Sequence, residues 1–170
     1  MYESFNVCST EMYQRKYMDF LLTYYEDLRL PYSFPIAFGF IASPVLLGEE
    51  CFLCLDEEGD AIGAFSYIHG TGEENYKDRH IVQLQVAYLK PSYRCTTLFL
   101  QGLQTLAEHL NELNEEVQEL VFWTETDGDS TRLFDKFALR TSIGESVIEY
   151  RVTLPLLNAY LAKFTRRAQV

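Results

Sequence analysis

The run Leu89-Lys90-Pro91-Ser92-Tyr93-Arg94-Cys95-Thr96-Thr97-Leu98-Phe99-Leu100 sets a proline turn, a guanidinium and two hydroxyls between two apolar patterns. Upstream, Ile81, Val82, Leu84, Val86 and Leu89 read as a buried strand over 81–89. Downstream, Phe99, Leu103, Leu106, Leu110 and Leu113 mark one face of a helix. A strand that turns tightly into a helix leaves the first helical N–H groups without partners inside the helix. Those groups and the macrodipole together suit an anion. Arg94 adds a fork of donors that matches phosphate oxygens. Thr96 and Thr97 add hydroxyls that either cap the helix or touch phosphate.

Other patterns that could carry chemistry are sparse. Cys51 and Cys54 have CxxC spacing, but they lie in Cys-Phe-Leu-Cys-Leu, which reads as a strand. An odd offset in a strand puts the two thiols on opposite faces. They are therefore expected to pack as small hydrophobes rather than share a zinc or a disulfide. No Gly-x-Ser-x-Gly motif supports a serine nucleophile. No spacing of His or carboxylates suggests a metal site.

The elements that must position this turn can be read along the chain. A short strand is expected over 2–8. Ser9 or Thr10 then caps a helix that carries Tyr13, Tyr17, Phe20, Leu21, Tyr24 and Leu28 at helical spacing. Its aromatic stripe reads as core contact, or alternatively as a substrate wall or subunit interface. Pro31 stops it. Residues 34–47 are apolar but broken by Pro35, Gly39 and Pro44, and are expected as a short helix or irregular loop. A hairpin follows, with strands 51–55 and 61–68 around an acidic turn, then a polar loop over 70–79. After the 81–89 strand and its helix come a strand at 119–124, a short helix at 127–137, a strand at 146–154 and a helix at 156–167. In that last helix Lys163, Arg166 and Arg167 complement the C-terminal dipole. The unit 81–124 should be a parallel crossover and the hairpin strands antiparallel, giving a mixed sheet with helices on its faces.

The chain of 170 residues fits a single domain, 1–170, and at 48% hydrophobic residues it can bury a core. A formal net charge of -11 argues against bulk nucleic-acid binding and favours cationic ligands or plain solubility. The start lacks a secretory pattern and no apolar run is long enough to span a bilayer, so a cytoplasmic location with no membrane partner is expected.

The 89–100 run resembles the cofactor-binding motif of the GNAT superfamily of N-acetyltransferases. There an aliphatic-x-Pro closes a strand, and an aromatic-Arg pair precedes a Q/R-x-x-G-x-G/A turn and a leucine-rich helix. Leu89, Pro91, Tyr93, Arg94, Leu98 and the helix match. The element order of the whole chain is also similar, including the hairpin before the long strand and the short helix after the next. The resemblance implies an α/β (α+β mixed sheet) architecture: the GNAT-like acyl-CoA N-acyltransferase fold, a central mixed sheet flanked by helices. It implies acetyl-CoA as cosubstrate and no metal. Leu89 would hold the pantetheine arm through its backbone. The backbone of Arg94, Cys95, Thr96, Thr97 and Leu98 would hold the pyrophosphate.

Three positions depart from the family pattern. Its two small residues fall on Thr97 and Phe99. The Thr97 hydroxyl can donate to phosphate, and the Phe99 ring is expected in the core, where the helix's apolar stripe begins. The family's Leu-Tyr-Glu-Lys-x-Gly-Phe run corresponds to Leu133-Phe134-Asp135-Lys136-Phe137-Ala138-Leu139. The tyrosine that protonates the departing thiolate is thereby replaced by Phe134, which has no proton to give. Losing one general acid costs about 10²–10⁴-fold. Tyr88 and Tyr93 are candidate substitutes. Glu125 and His80 are the candidate bases for the acceptor amine, whereas Gln83 and Gln85 can only hydrogen-bond a substrate or water. The function implied is acetyl transfer to an amine, on a small molecule or a protein. The alternative is a GNAT-fold binding or regulatory module, with the aromatic first helix and 34–47 as partner surface. The sequence leaves the oligomeric state open, a homodimer being the commonest assembly.

Overall fold

A computed structural model describes residues 3–94, 96–113, 116–126, 128 and 130–165. The elements are β1 (Ser4–Val7), α1 (Glu11–Thr23), α2 (Tyr25–Leu28), α3 (Phe34–Leu46), β2 (Cys51–Leu55), β3 (Ala61–His69) and β4 (Ile81–Leu89), followed by α4 (Leu98–Glu112), β5 (Glu119–Glu125), α5 (Thr131–Phe134), β6 (Leu139–Ile143), β7 (Val147–Thr153) and α6 (Leu154–Thr165). The seven strands make a mixed sheet in the order β1-β2-β3-β4-β5-β7-β6, flanked by helices as expected. Among the described residues no helix is long and apolar enough to cross a membrane. The chain divides into two compact units, Met1–Ile68 with Gln85–Gly102 and His69–Leu84 with Leu103–Val170.

In the first unit β1, β2 and β3 are antiparallel, with Val7 opposite Phe52 and Phe52 opposite Phe65. Alternation sorts β2 onto two faces. Cys51, Leu53 and Leu55 pack with Tyr17, Phe20 and Leu21 of α1, and Cys54 is outside that cluster. The CxxC pair is therefore split across the sheet. Cys51 instead neighbours Cys8, whose amide donates to the Cys51 carbonyl at 2.8 Å. Both thiols are free and buried. The Thr10 hydroxyl caps α1 by accepting from the Tyr13 amide at 3.3 Å. The expected stripe is interrupted at Tyr24, where φ -103 and ψ 21 end α1 and start the separate turn α2. Tyr17, Phe20 and Leu21 of the stripe are buried in the core.

Residues 34–46 form a full helix rather than a loop. Pro35 sits in its first turn, where no intrahelical donor is needed. Pro44 removes the N–H that the Phe40 carbonyl would receive. That carbonyl accepts from Ser43 Oγ at 2.7 Å and Gln85 Nε2 at 3.5 Å instead. Gln85 Nε2 also donates to Ser43 Oγ at 2.8 Å. Gln85 thus mends a helix.

In the second unit β5 pairs antiparallel with β7, and β7 with β6. The ladder between β4 and β5 is parallel, as expected, and joins Ile81–Gln83 to Glu119–Val121. β6, absent from the sequence reading, is a five-residue strand whose side chains are all exposed, so it carries no hydrophobic alternation to read. The helix expected at 127–137 is a single turn, Thr131–Phe134. Its continuation tightens into three-residue bonds, Lys136 to Leu133 and Phe137 to Phe134, and Asp127 lies outside the described residues. The last helix begins two residues earlier than expected, with Pro155 in its first turn. Lys163 is in its last turn; Arg166 and Arg167 lie outside the described residues.

Candidate functional site

The turn after β4 is built as its sequence implies. Leu89 is 3% exposed, and Lys90 donates its amide to the Ile62 carbonyl at 2.9 Å. Pro91–Tyr93 form one turn of 3-10 helix. Thr96 then does two jobs. Its hydroxyl donates to the Tyr93 carbonyl at 2.7 Å and accepts from the Leu98 amide at 3.2 Å. The first helical bond runs from the Gln101 amide to the Thr97 carbonyl at 3.0 Å. Thr96 and Thr97 are exposed and Leu98 is buried. Cys95 lies outside the described residues.

The Phe99 ring turns inward, with its centroid 5.7 Å from that of Phe65. Helix α4 approaches this aromatic layer closely because Gly102 has no side chain. A Cβ there would meet three ring atoms of Phe65 at 2.3, 2.6 and 2.9 Å. The large residue at a small position of the motif is accommodated on the core side, and the outer side of the turn stays clear of it.

Arg94 is not presented to solvent as a free cation. Its Nε donates to the Leu89 carbonyl at 3.0 Å, and its Nη2 donates to Asp27 Oδ2. The guanidinium carbon lies 5.2 Å from the centre of the Tyr88 ring. The Tyr88 hydroxyl donates to the same Asp27 oxygen at 2.7 Å. The bond from Tyr88 and the charge of Arg94 hold Asp27 below the usual carboxylate value. Burial and the Asp27 carboxylate raise Tyr88. Arg94 thus ties together α2, the end of β4 and the turn, with its side chain 42% exposed. Tyr88, a candidate thiolate acid, has its proton committed to Asp27. Asp27 was missed from the sequence because it belongs to no motif and sits 67 residues from its partner.

Beside the clamp, an open cleft of about 600 Å³ is lined by Tyr24, Tyr25, Glu26, Asp27 and Phe34, among others. Its walls combine aromatic rings with two carboxylates.

The two candidate bases do not come together. His80 is exposed just ahead of β4, and its carbonyl accepts from the Gln118 amide at 2.8 Å. Glu125 closes β5 opposite Val147. With Ile81 in register with Glu119, the two residues stand at opposite ends of β5, about 20 Å apart at 3.3 Å per residue. Phe134 is buried in an aromatic cluster, 4.7 Å from Phe122 and 5.6 Å from Tyr150 between centroids. No group of three or more metal-ligating side chains occurs among the described residues.

No protein-family model and no curated protein sequence matches this chain. Solved structures match it over most of its length. A GNAT-family acetyltransferase from Staphylococcus aureus Mu50 is 13% identical, with a TM-score of 0.65 over 89% of this chain and 99% of its own. Ard1 from Thermoplasma volcanium is 9% identical, with a TM-score of 0.68 over 90% of this chain and 98% of its own. YncA from Salmonella typhimurium, solved with its cofactor acetyl-CoA, is 13% identical, with a TM-score of 0.63 over 89% of this chain and 94% of its own. The fold is that of the GNAT acyl-CoA N-acyltransferases.

Proposed function

We propose that this chain is an acyl-CoA-dependent N-acetyltransferase acting on an amine. The observation that carries the reading is the buried end of β4 running through a capped turn into the N-terminus of α4, on a GNAT fold. Acetyl-CoA supplies the acetyl thioester. The backbone N–H groups at the start of α4 suit its pyrophosphate, and the backbone at Leu89 suits its amide-bearing arm. Supporting that reading, the Phe99 ring faces Phe65 and Thr97 is exposed, its hydroxyl accepting from Gln101 Nε2 at 3.5 Å.

The transfer joins the amine nitrogen to the acetyl carbon, breaks the bond from that carbon to sulfur and releases a thiol. The chain's own contribution is chiefly positioning. Arg94 positions the turn through Leu89 and Asp27. Asp27 is paired with Arg94, and Glu26 is the other carboxylate of the adjoining cleft, suited to a cationic amine. The amine must lose a proton, and Glu125 and His80, far apart, are alternatives for that role rather than partners in it. Without a tyrosine at 134, the departing sulfur takes its proton from another hydroxyl or from water.

The test is thiol release from acetyl-CoA across a panel of primary amines and polyamines. Amine-dependent release well above the uncatalysed rate is expected. Tight acetyl-CoA binding with no release for any amine would favour the binding-module reading instead.

A further inference from the structure

Two of the chain's thiols are set against each other. The register that places Val7 opposite Phe52 continues one step to place Cys8 opposite Cys51, and the Cys8 amide donates to the Cys51 carbonyl at 2.8 Å. Directly opposed residues of an antiparallel ladder point to the same face. Both cysteines belong to one core cluster, at 5% and 2% exposure. At a hydrogen-bonded pair the Cα atoms stand about 5.5 Å apart, inside the range of about 4.4–6.8 Å that a disulfide spans. The thiols already touch. A hydrogen bond with Cys8, and after it burial, push the Cys51 thiol well above its usual value.

No other described neighbour takes the place of either partner. Across from Cys51 on β3 stands Ser66, whose hydroxyl accepts from Tyr17 at 2.7 Å. Cys54 is on the opposite face of β2, outside the cluster.

A buried thiol is inert until it is uncovered, and the cover here is light on one side. β1 is four residues long, lies at the edge of the sheet, pairs with β2 alone and has no fully buried side chain. Short edge elements of this kind open locally well before the whole fold does. Cys8 follows directly on β1, so lifting that strand uncovers both thiols, and its return brings them back together. An oxidant as small as hydrogen peroxide fits such an opening.

We propose that Cys8 and Cys51 form a redox-modification site, closed to a disulfide by hydrogen peroxide and reopened by a dithiol. The Cys8 thiolate attacks one peroxide oxygen, the O–O bond breaks and hydroxide leaves, with a sulfenic acid formed on Cys8. The Cys51 sulfur then bonds to the Cys8 sulfur and displaces its hydroxyl as water. The two thiols lose two electrons and two protons, and the peroxide becomes two waters. The bond closes the loop 8–51, which holds α1, α2 and α3 and with them the lining of the cleft.

The test exposes the reduced chain to millimolar hydrogen peroxide, alkylates the remaining thiols after unfolding in denaturant, and maps all four cysteines by peptide mass spectrometry. A linked Cys8–Cys51 peptide is expected, lighter than its reduced halves by two hydrogens. Tm should rise by about 5–10 °C, as closing a loop of this length stabilises, and dithiothreitol should reverse the rise. Cys8→Ser should abolish both the link and the rise. Phe5→Ala removes the ring that holds β1 against Phe65 at 6.0 Å, and should speed linking several-fold. Cys8 and Cys51 both still alkylated after prolonged exposure would overturn the proposal. So would a bond from either to Cys54 or Cys95, or over-oxidation of Cys8 without a link. A linking rate unmoved by Phe5→Ala would overturn the opening of β1 as the route.

Discussion

Gly102→Ala tests how closely α4 must approach the sheet for its N-terminus to be where it is. Two effects oppose each other. Alanine stabilises a helix interior by about 1 kcal/mol relative to glycine. Against this, the new Cβ would stand 2.3 Å from a Phe65 ring carbon, whereas carbon contacts settle near 3.5–4.0 Å. The ring cannot swing aside. Phe65 is 1% exposed, with Phe5 at 6.0 Å and Phe99 at 5.7 Å between centroids. The helix must therefore move outward by about 1 Å or more, and overpacking of this kind costs about 1–3 kcal/mol. With so short a contact the upper part of that range applies. The expected net is a loss of about 1–2 kcal/mol, or about 3–6 °C in Tm for a chain of this length. Urea unfolding with an unchanged m-value would measure it. The same displacement moves the Thr97–Leu98 turn, so acetyl-CoA affinity should fall several-fold. A stabilised variant, gaining what helix propensity alone provides, would refute the close approach.

The clamp and the mended helix give further expectations. A double-mutant cycle on Arg94→Ala and Asp27→Asn should show a coupling of about 0.5–1.5 kcal/mol in urea unfolding, modest because the side chains are 42% and 33% exposed. Asp27 has a folded-state pKa below its usual value. Its contribution is therefore present at neutral pH and lost as pH falls below 4 through that depressed value, so Asp27→Asn should lose less stability than the wild type between pH 5 and pH 2. Gln85→Leu should cost about 1 kcal/mol by removing the 2.8 Å donor to the Ser43 hydroxyl and the longer, second donor to the Phe40 carbonyl. That cost should shrink in a Pro44→Ala background, where residue 44 can donate again.

Much of the fold was legible because its signals are local. Ser9 and Thr10 announced α1, the acidic turn after Leu55 announced the hairpin, and the run 81–89 matched β4 to the residue. The failures have physical causes. Residues 34–47 stood between helix and loop because of Pro35 and Pro44, one harmless in a first turn and the other compensated by Ser43 and by Gln85, 41 positions downstream. β6 has no buried face, so no alternation marked it. The site divides the same way. The turn, the Thr96 cap and the inward Phe99 could be read from residues 89–100. The Arg94–Asp27–Tyr88 clamp could not, since a carboxylate in α2 reaches Arg94 only through folding. A lone guanidinium in a sequence advertises an anion without saying whose.

The central claim is that the start of α4 receives an acyl-CoA. Melting of the purified chain with added acetyl-CoA, and separately with CoA, tests it most directly. At a hundred times Kd a ligand stabilises by about 2.7 kcal/mol, which for this length is about 5–11 °C in Tm. A saturable upward shift of that order with both ligands is the expected result. An unchanged Tm with either ligand at millimolar concentration would contradict it.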